Sequence, residues 1–137
     1  MLWIALPPAL AVDGAVGAVL RAMPAGWAAA WVVCRIVGAV VVVPVVEELA
    51  FRGYLTRRLI ARDFESVPLG RLTWLSVVGS SLLFGLLHQR VVAGTAAGVL
   101  YAAALHRRGS LGDAVLAHAI TNALLVVYEL STGAWGW

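Results

Sequence analysis

The chain has 137 residues, of which 62% are hydrophobic and 12% are charged. A soluble domain of this length could not bury so much apolar surface, so the composition predicts a membrane protein and argues against an ordinary soluble domain. The formal net charge is +3, and every basic residue is arginine. Because the arginines cluster at the edges of the apolar stretches, they do not indicate nucleic-acid binding. The single cysteine excludes an intrachain disulfide.

Apolar stretches divide the chain into an N-terminal segment and a core. We expect residues 1–24, which prolines and an aspartate interrupt, to be a poor transmembrane helix or an interfacial segment. The core, residues 25–137, contains predicted helices at 27–61, 72–88, 91–106 and 111–130. The predicted fold is therefore all-α, a polytopic transmembrane bundle of about four core helices plus the N-terminal segment. The length is also compatible with the core of a longer membrane protein.

The first core helix contains two adjacent carboxylates in a very apolar setting. Arg35 and Arg57 stand about 33 Å apart at the helical rise, which is close to the hydrocarbon thickness of a bilayer. Glu47 and Glu48 then fall near mid-membrane, where ionisable groups are costly and indicate function. Pro44 precedes them and should bend the helix or open it locally, because it lacks a backbone N–H.

The arginines are distributed unequally between the ends of the predicted bundle. The 88–91 turn carries only Arg90, whereas the 57–71 connection and the 106–110 turn together carry Arg57, Arg58, Arg62, Arg71, Arg107 and Arg108. Basic residues favour the cytoplasmic side of a membrane. We therefore predict a multi-pass protein of the cell membrane with the connection and the 106–110 turn in the cytoplasm.

The spacing of the acidic residues separates the two glutamates. Glu48 and Arg52 are four residues apart, which places them on one helix face and predicts an ion pair. Glu47 has no such local partner and suits a general base. The alternative is that both glutamates begin a solvated amphipathic helix, but the residues that follow continue the apolar character.

Two histidines add to this set of polar residues. His88 is either a helix-terminal residue at the membrane edge or a base, proton carrier or metal ligand. His118 and Asn122 share a helix face, as an interhelical hydrogen-bond pair or as donors to a developing oxyanion. Phosphate-loop motifs and the usual nucleophile motifs do not occur in the sequence. The remaining polar residues match amide hydrolysis by activated water.

Three short motifs carry a resemblance to a known family. Residues 47–52 fit E-E-x-x-x-R, residues 84–88 fit F-x-x-x-H and residues 118–122 fit H-x-x-x-N. In this order they resemble the CAAX-protease and bacteriocin-processing (Abi) family of intramembrane glutamic endopeptidases, over roughly residues 36–130. The sequence around the motifs is also similar to the protease portion of exosortase E/protease-type bacterial proteins. The resemblance implies a peptide or protein substrate in the bilayer and, as a partner, an exosortase-type sorting system.

The same resemblance implies the roles of the polar residues in the first two motifs. It assigns the activation of water to Glu47 together with His88. It gives Glu48 a supporting role and makes Arg52 the residue that holds the two glutamates in place.

For the third motif the resemblance implies an oxyanion hole made by His118 and Asn122, with no cofactor. Two alternatives remain open. One is a zinc metalloprotease with Glu47, His88 and His118 as ligands. The other is a non-enzymatic membrane scaffold or proton-coupled binding protein, since buried glutamate and histidine can relay protons.

Small residues predict where two helices approach closely. Gly94 and Gly98 form a small-xxx-small pattern in the helix 91–106. We expect this helix to pack tightly behind the polar residues.

Overall fold

The computed structural model describes residues 13–88 and 90–132, and within these ranges every regular element is helical. The predicted all-α fold is confirmed. The helices are α1 (Asp13–Ala22), α2 (Ala25–Arg58), α3 (Trp74–Leu86), α4 (Val91–Arg108) and α5 (Leu111–Thr132). The predicted core helices thus occur, with ends displaced by a few residues. Residues 1–12 of the N-terminal segment and residues 133–137 of the core lie outside the described residues.

Two wide turns interrupt α2 near the glutamates. In the first, a π-helical segment at Gly38–Val42, the Val43 N–H bonds to the Gly38 carbonyl, five residues back instead of four. Pro44 follows directly and has no N–H. The second π-helical segment is Leu49–Leu55. The local opening predicted from the proline therefore lies on its N-terminal side, and π segments of this kind are frequent at functional sites.

The two longest helices expose apolar side chains. Among the described residues, α2 and α5 are long and apolar enough to cross a membrane. The most apolar window of α2 has a mean hydropathy of 2.4, yet only 11% of it is buried. α5 buries polar residues on one face and exposes an apolar row on the other, at Leu116, Ile120, Leu124 and Val127. This pattern is the reverse of that in a soluble helix and suits a hydrocarbon environment.

Glycines bring α3 and α4 into close contact. A Cβ on Gly94 would lie 3.0 Å from the Gly85 Cα, and a Cβ on Gly98 would lie 3.0 Å from the Ser81 Cα. A Cβ on Gly85 would clash with the side chain of Thr95. The close approach predicted from the small residues of α4 is confirmed.

The arginine-rich connection and turn meet at one end of the bundle. The His106 Nδ1 is 2.9 Å from the Gly70 carbonyl, and a Cβ on Gly70 would lie 3.1 Å from the Gly109 Cα. Arg57 organises the connection by donating hydrogen bonds to the backbone carbonyls of Val67, Gly53 and Glu65. The two segments that the sequence assigns to one side of the membrane are therefore neighbours in space.

Candidate active site

The site is built on a buried ion pair between Glu48 and Arg52. The Arg52 Nε is 3.1 Å from Glu48 Oε2, and both side chains are 0% exposed. Arg52 Nη1 donates to Glu48 Oε1 at 3.2 Å, and Nη2 donates to the Gly98 carbonyl at 2.7 Å. The guanidinium also lies 4.7 Å from the centroid of the Phe84 ring. The predicted ion pair is confirmed, and its contacts reach three helices.

His118 is joined to this pair from α5. Its Nδ1 is 3.0 Å from Glu48 Oε1. Because a carboxylate paired with arginine only accepts hydrogen bonds, the Nδ1 carries the proton and donates it to Glu48. The other nitrogen, Nε2, is then directed towards Glu47.

Glu47 lies between the two histidines. Its Oε2 is 3.8 Å from the Nε2 of His118 and 3.9 Å from the Nε2 of His88. The side chain is 29% exposed, in contrast to its fully buried neighbour Glu48. The Oε2 itself is buried and makes no direct hydrogen bond within the described chain. Separations of this length are too long for direct hydrogen bonds, and one water between the groups can bridge them.

The orientation of His88 is set by the helix that carries it. Its Nδ1 is 2.7 Å from the backbone carbonyl of Phe84, one turn earlier. A carbonyl only accepts, so the Nδ1 is the protonated nitrogen and the Nε2 is turned towards Glu47. The Phe84 ring packs against His88 at 4.4 Å between centroids and lies edge-on to His118 at 5.7 Å. This explains the four-residue spacing of phenylalanine and histidine in physical terms.

Asn122 is held by a carbonyl that α2 leaves without a helical donor. The Asn122 Nδ2 donates to the Ala39 carbonyl at 2.8 Å. In the π-helical segment the Val43 N–H bonds to Gly38, and the next residue, Pro44, has no N–H to offer Ala39. The proline thus creates an orphan acceptor, which the amide satisfies from α5. One of the two amide hydrogens is used in this way.

The structure adds two residues that the motifs do not include. Gly98 supplies the carbonyl that binds Arg52, and Tyr101 stacks on His118. Nothing in the position of Tyr101 in the sequence pointed to the histidine. The available signal was the three-residue separation of Gly98 and Tyr101, which places both on one face of α4.

The structure therefore brings the six predicted site residues close together, around the Glu48–Arg52 ion pair. Glu48 binds both Arg52 and His118, and Glu47 lies 3.8 Å from His118 and 3.9 Å from His88. Asn122 lies on the same buried face of α5, one turn from His118. Within residues 13–88 and 90–132, no group of three histidine, cysteine or acidic side chains is arranged to hold a metal ion.

Fold and site together define a helix bundle, with two helices able to cross a membrane, that gathers carboxylate and imidazole groups suited to acid–base chemistry. Comparison with known families gives the class of protein. The sequence model of the type II CAAX prenyl endopeptidase Rce1-like family matches residues 27–124, a range that includes all six predicted site residues. The chain belongs to this family. Searches of curated proteins and of solved structures gave no significant match.

Proposed function

We propose that the protein is an intramembrane glutamic endopeptidase in which Glu47 activates the attacking water. The observation that carries this proposal is the position of Glu47 Oε2, 3.8 Å and 3.9 Å from two imidazole nitrogens. A water bound among these three atoms would be within hydrogen-bond reach of each. The carboxylate then removes a proton from the water as its oxygen attacks the carbonyl carbon of the peptide.

His88 assists at the same water. Its Nδ1–H is fixed by the Phe84 carbonyl, so the lone pair of the neutral ring is on the Nε2 that faces Glu47. The proton taken from water is passed to the nitrogen of the departing amine, and the carbon–nitrogen bond breaks. The products are a carboxylic acid and an amine, and the base is restored.

His118 and Asn122 stabilise the tetrahedral intermediate. Glu48 accepts a hydrogen bond from the His118 Nδ1, so in this proposal the ring donates to the oxyanion through Nε2 in the form that carries a proton on both nitrogens. Asn122 contributes the amide hydrogen that is not directed at Ala39. Two such donors in a buried site stabilise negative charge on the carbonyl oxygen.

The substrate that we propose is a peptide segment already in the membrane. The exposed apolar surface of α2 and α5 limits access mainly to molecules that partition into the bilayer. A prenylated C-terminus, to which the family description refers, is one such peptide. We propose a multi-pass arrangement in the cell membrane with the arginine-rich end cytoplasmic. A link to an exosortase-type sorting system rests on the sequence resemblance alone.

Variants of the proposed base test the function in cells. The N- and C-termini of membrane proteins are compared by mass spectrometry between cells that contain the wild-type protein and cells with Glu47→Gln or His88→Ala. We expect a set of wild-type-dependent termini to disappear with either change. The control is Glu65→Gln, in the exposed α2–α3 connection, which should keep all of them. Wild-type cleavage by both active-site variants, at wild-type protein level, rejects the proposal.

A further inference from the structure

Tyr101 lies flat against the imidazole of His118. The two ring centroids are 4.6 Å apart and the planes differ by 15°. The tyrosine is 3% exposed, and it belongs to the same buried cluster as Phe84 and Leu105. It stands in α4, a helix that carries none of the three motifs.

The Tyr101 ring also packs against a second residue of the site. Its centroid lies 6.0 Å from that of the Phe84 ring in α3, and the two planes are at 86°. The tyrosine therefore contacts residues of two other helices.

We propose that Tyr101 is a positioning residue for His118, an inference that rests on the proposed function. The single hydrogen bond to Glu48 fixes the Nδ1 but leaves the ring free to rotate about that contact. Stacking on one face by Tyr101, together with the edge of Phe84 at an interplanar angle of 78°, fixes the plane of the imidazole. The direction of Nε2 towards Glu47 follows from that plane.

Two substitutions separate the ring from the hydroxyl. Tyr101→Phe keeps the stacking partner and loses only the hydroxyl, whereas Tyr101→Leu keeps apolar volume and loses the flat face. The matched control is Leu105→Val, one turn further along α4, buried in the same cluster. It reduces core packing without a ring contact to His118.

The first measurement observes the histidine without turnover. The chain has three histidines, so selectively labelled protein gives few imidazole signals, which single substitutions at His88 and His106 assign. We expect an upfield ring-current shift of the His118 signals in the wild type, in Tyr101→Phe and in Leu105→Val, and its loss in Tyr101→Leu. Unchanged His118 signals in Tyr101→Leu overturn the proposal. Because no catalysis is involved, this result is independent of whether Glu47 is the base.

The second measurement uses cleavage of a fluorogenic farnesylated CAAX peptide. Misplacement of a catalytic group by about 1 Å costs on the order of a hundredfold in rate, so we expect Tyr101→Leu to lower kcat by roughly ten- to a hundredfold with an unchanged KM. Tyr101→Phe and Leu105→Val should stay within about twofold of the wild-type kcat. A wild-type kcat in Tyr101→Leu, or an equal loss in Tyr101→Phe, contradicts a role for the stacked ring. If the wild type does not cleave this peptide, the imidazole signals decide.

Discussion

Replacing Arg52 with methionine should destabilise the protein more than any loss of packing would explain. The substitution keeps an unbranched apolar stem but removes the partner of a carboxylate that is 0% exposed. Breaking a buried ion pair by removing one member costs roughly 3–5 kcal/mol, because the remaining charge stays buried. The bond from Nη2 to the Gly98 carbonyl is also lost, but that carbonyl belongs to the hydrogen-bond ladder of α4, so this is the smaller contribution.

A double-mutant cycle measures the charge effect separately from packing. Glu48→Gln combined with Arg52→Met removes both charges, and the glutamine oxygen can still accept from the His118 Nδ1. We expect the double variant to be more stable than Arg52→Met alone, with a coupling of roughly 0.5–3 kcal/mol. The assay measures the free energy of unfolding of the purified protein in mixed micelles as denaturing detergent is added. Additive losses, or a loss below about 1 kcal/mol for Arg52→Met, would refute the reasoning, since that is the range of a solvated ion pair.

The remaining predictions concern packing, the orphan carbonyl and metal. Gly98→Ala places a Cβ 3.0 Å from the Ser81 Cα, so we expect the free energy of unfolding to fall by about 1–3 kcal/mol. The control is Gly26→Ala, whose Cβ meets nothing within 4 Å. Equal losses in the two variants would argue against close packing at Gly98. Asn122→Ala should lower the free energy of unfolding by about 1–3 kcal/mol, because the Ala39 carbonyl loses its donor. The loss should be smaller in a Pro44→Ala background, where a backbone N–H is again present at residue 44. The same loss in both backgrounds contradicts this account. Cleavage should persist in a strong zinc chelator, with no zinc in the purified protein; activity that is lost in chelator and restored by zinc would favour the metalloprotease alternative.

The sequence predicted the features that depend on local periodicity. The helix predicted at 111–130 is Leu111–Thr132 in the structure, and the helix at 91–106 is Val91–Arg108. The Glu48–Arg52 pair was predictable for the same reason, because residues four apart share a face in one helix. Helix ends were less accurate where a capping contact decides them. At the start of α3, Thr73 and Ser76 form a capping box, in which each side chain bonds to the backbone of the other residue. The helix therefore begins at Trp74, two residues after the predicted start.

Contacts between distant parts of the chain could not be read from the sequence in the same way. The bond between Asn122 and Ala39 joins residues 83 positions apart. Pro44 indicated a local opening of α2, but not that the Ala39 carbonyl would meet Asn122 of α5. The stacking of Tyr101 on His118 depends on how closely α4 approaches its neighbours. Glycine spacing predicted that the approach would be close, but the side chains brought together are a result of the packing itself.

The two adjacent glutamates show how one helix can give neighbouring carboxylates opposite environments. Successive residues in a helix point about 100° apart, so Glu48 faces the interior while Glu47 remains 29% exposed. The interior position is stable because Arg52 and His118 both bind the Glu48 carboxylate. Glu47 Oε2 makes no such bond and lies between two imidazoles. These environments support the proposed division of roles, in which Glu48 is structural and Glu47, which has no arginine partner, is the base.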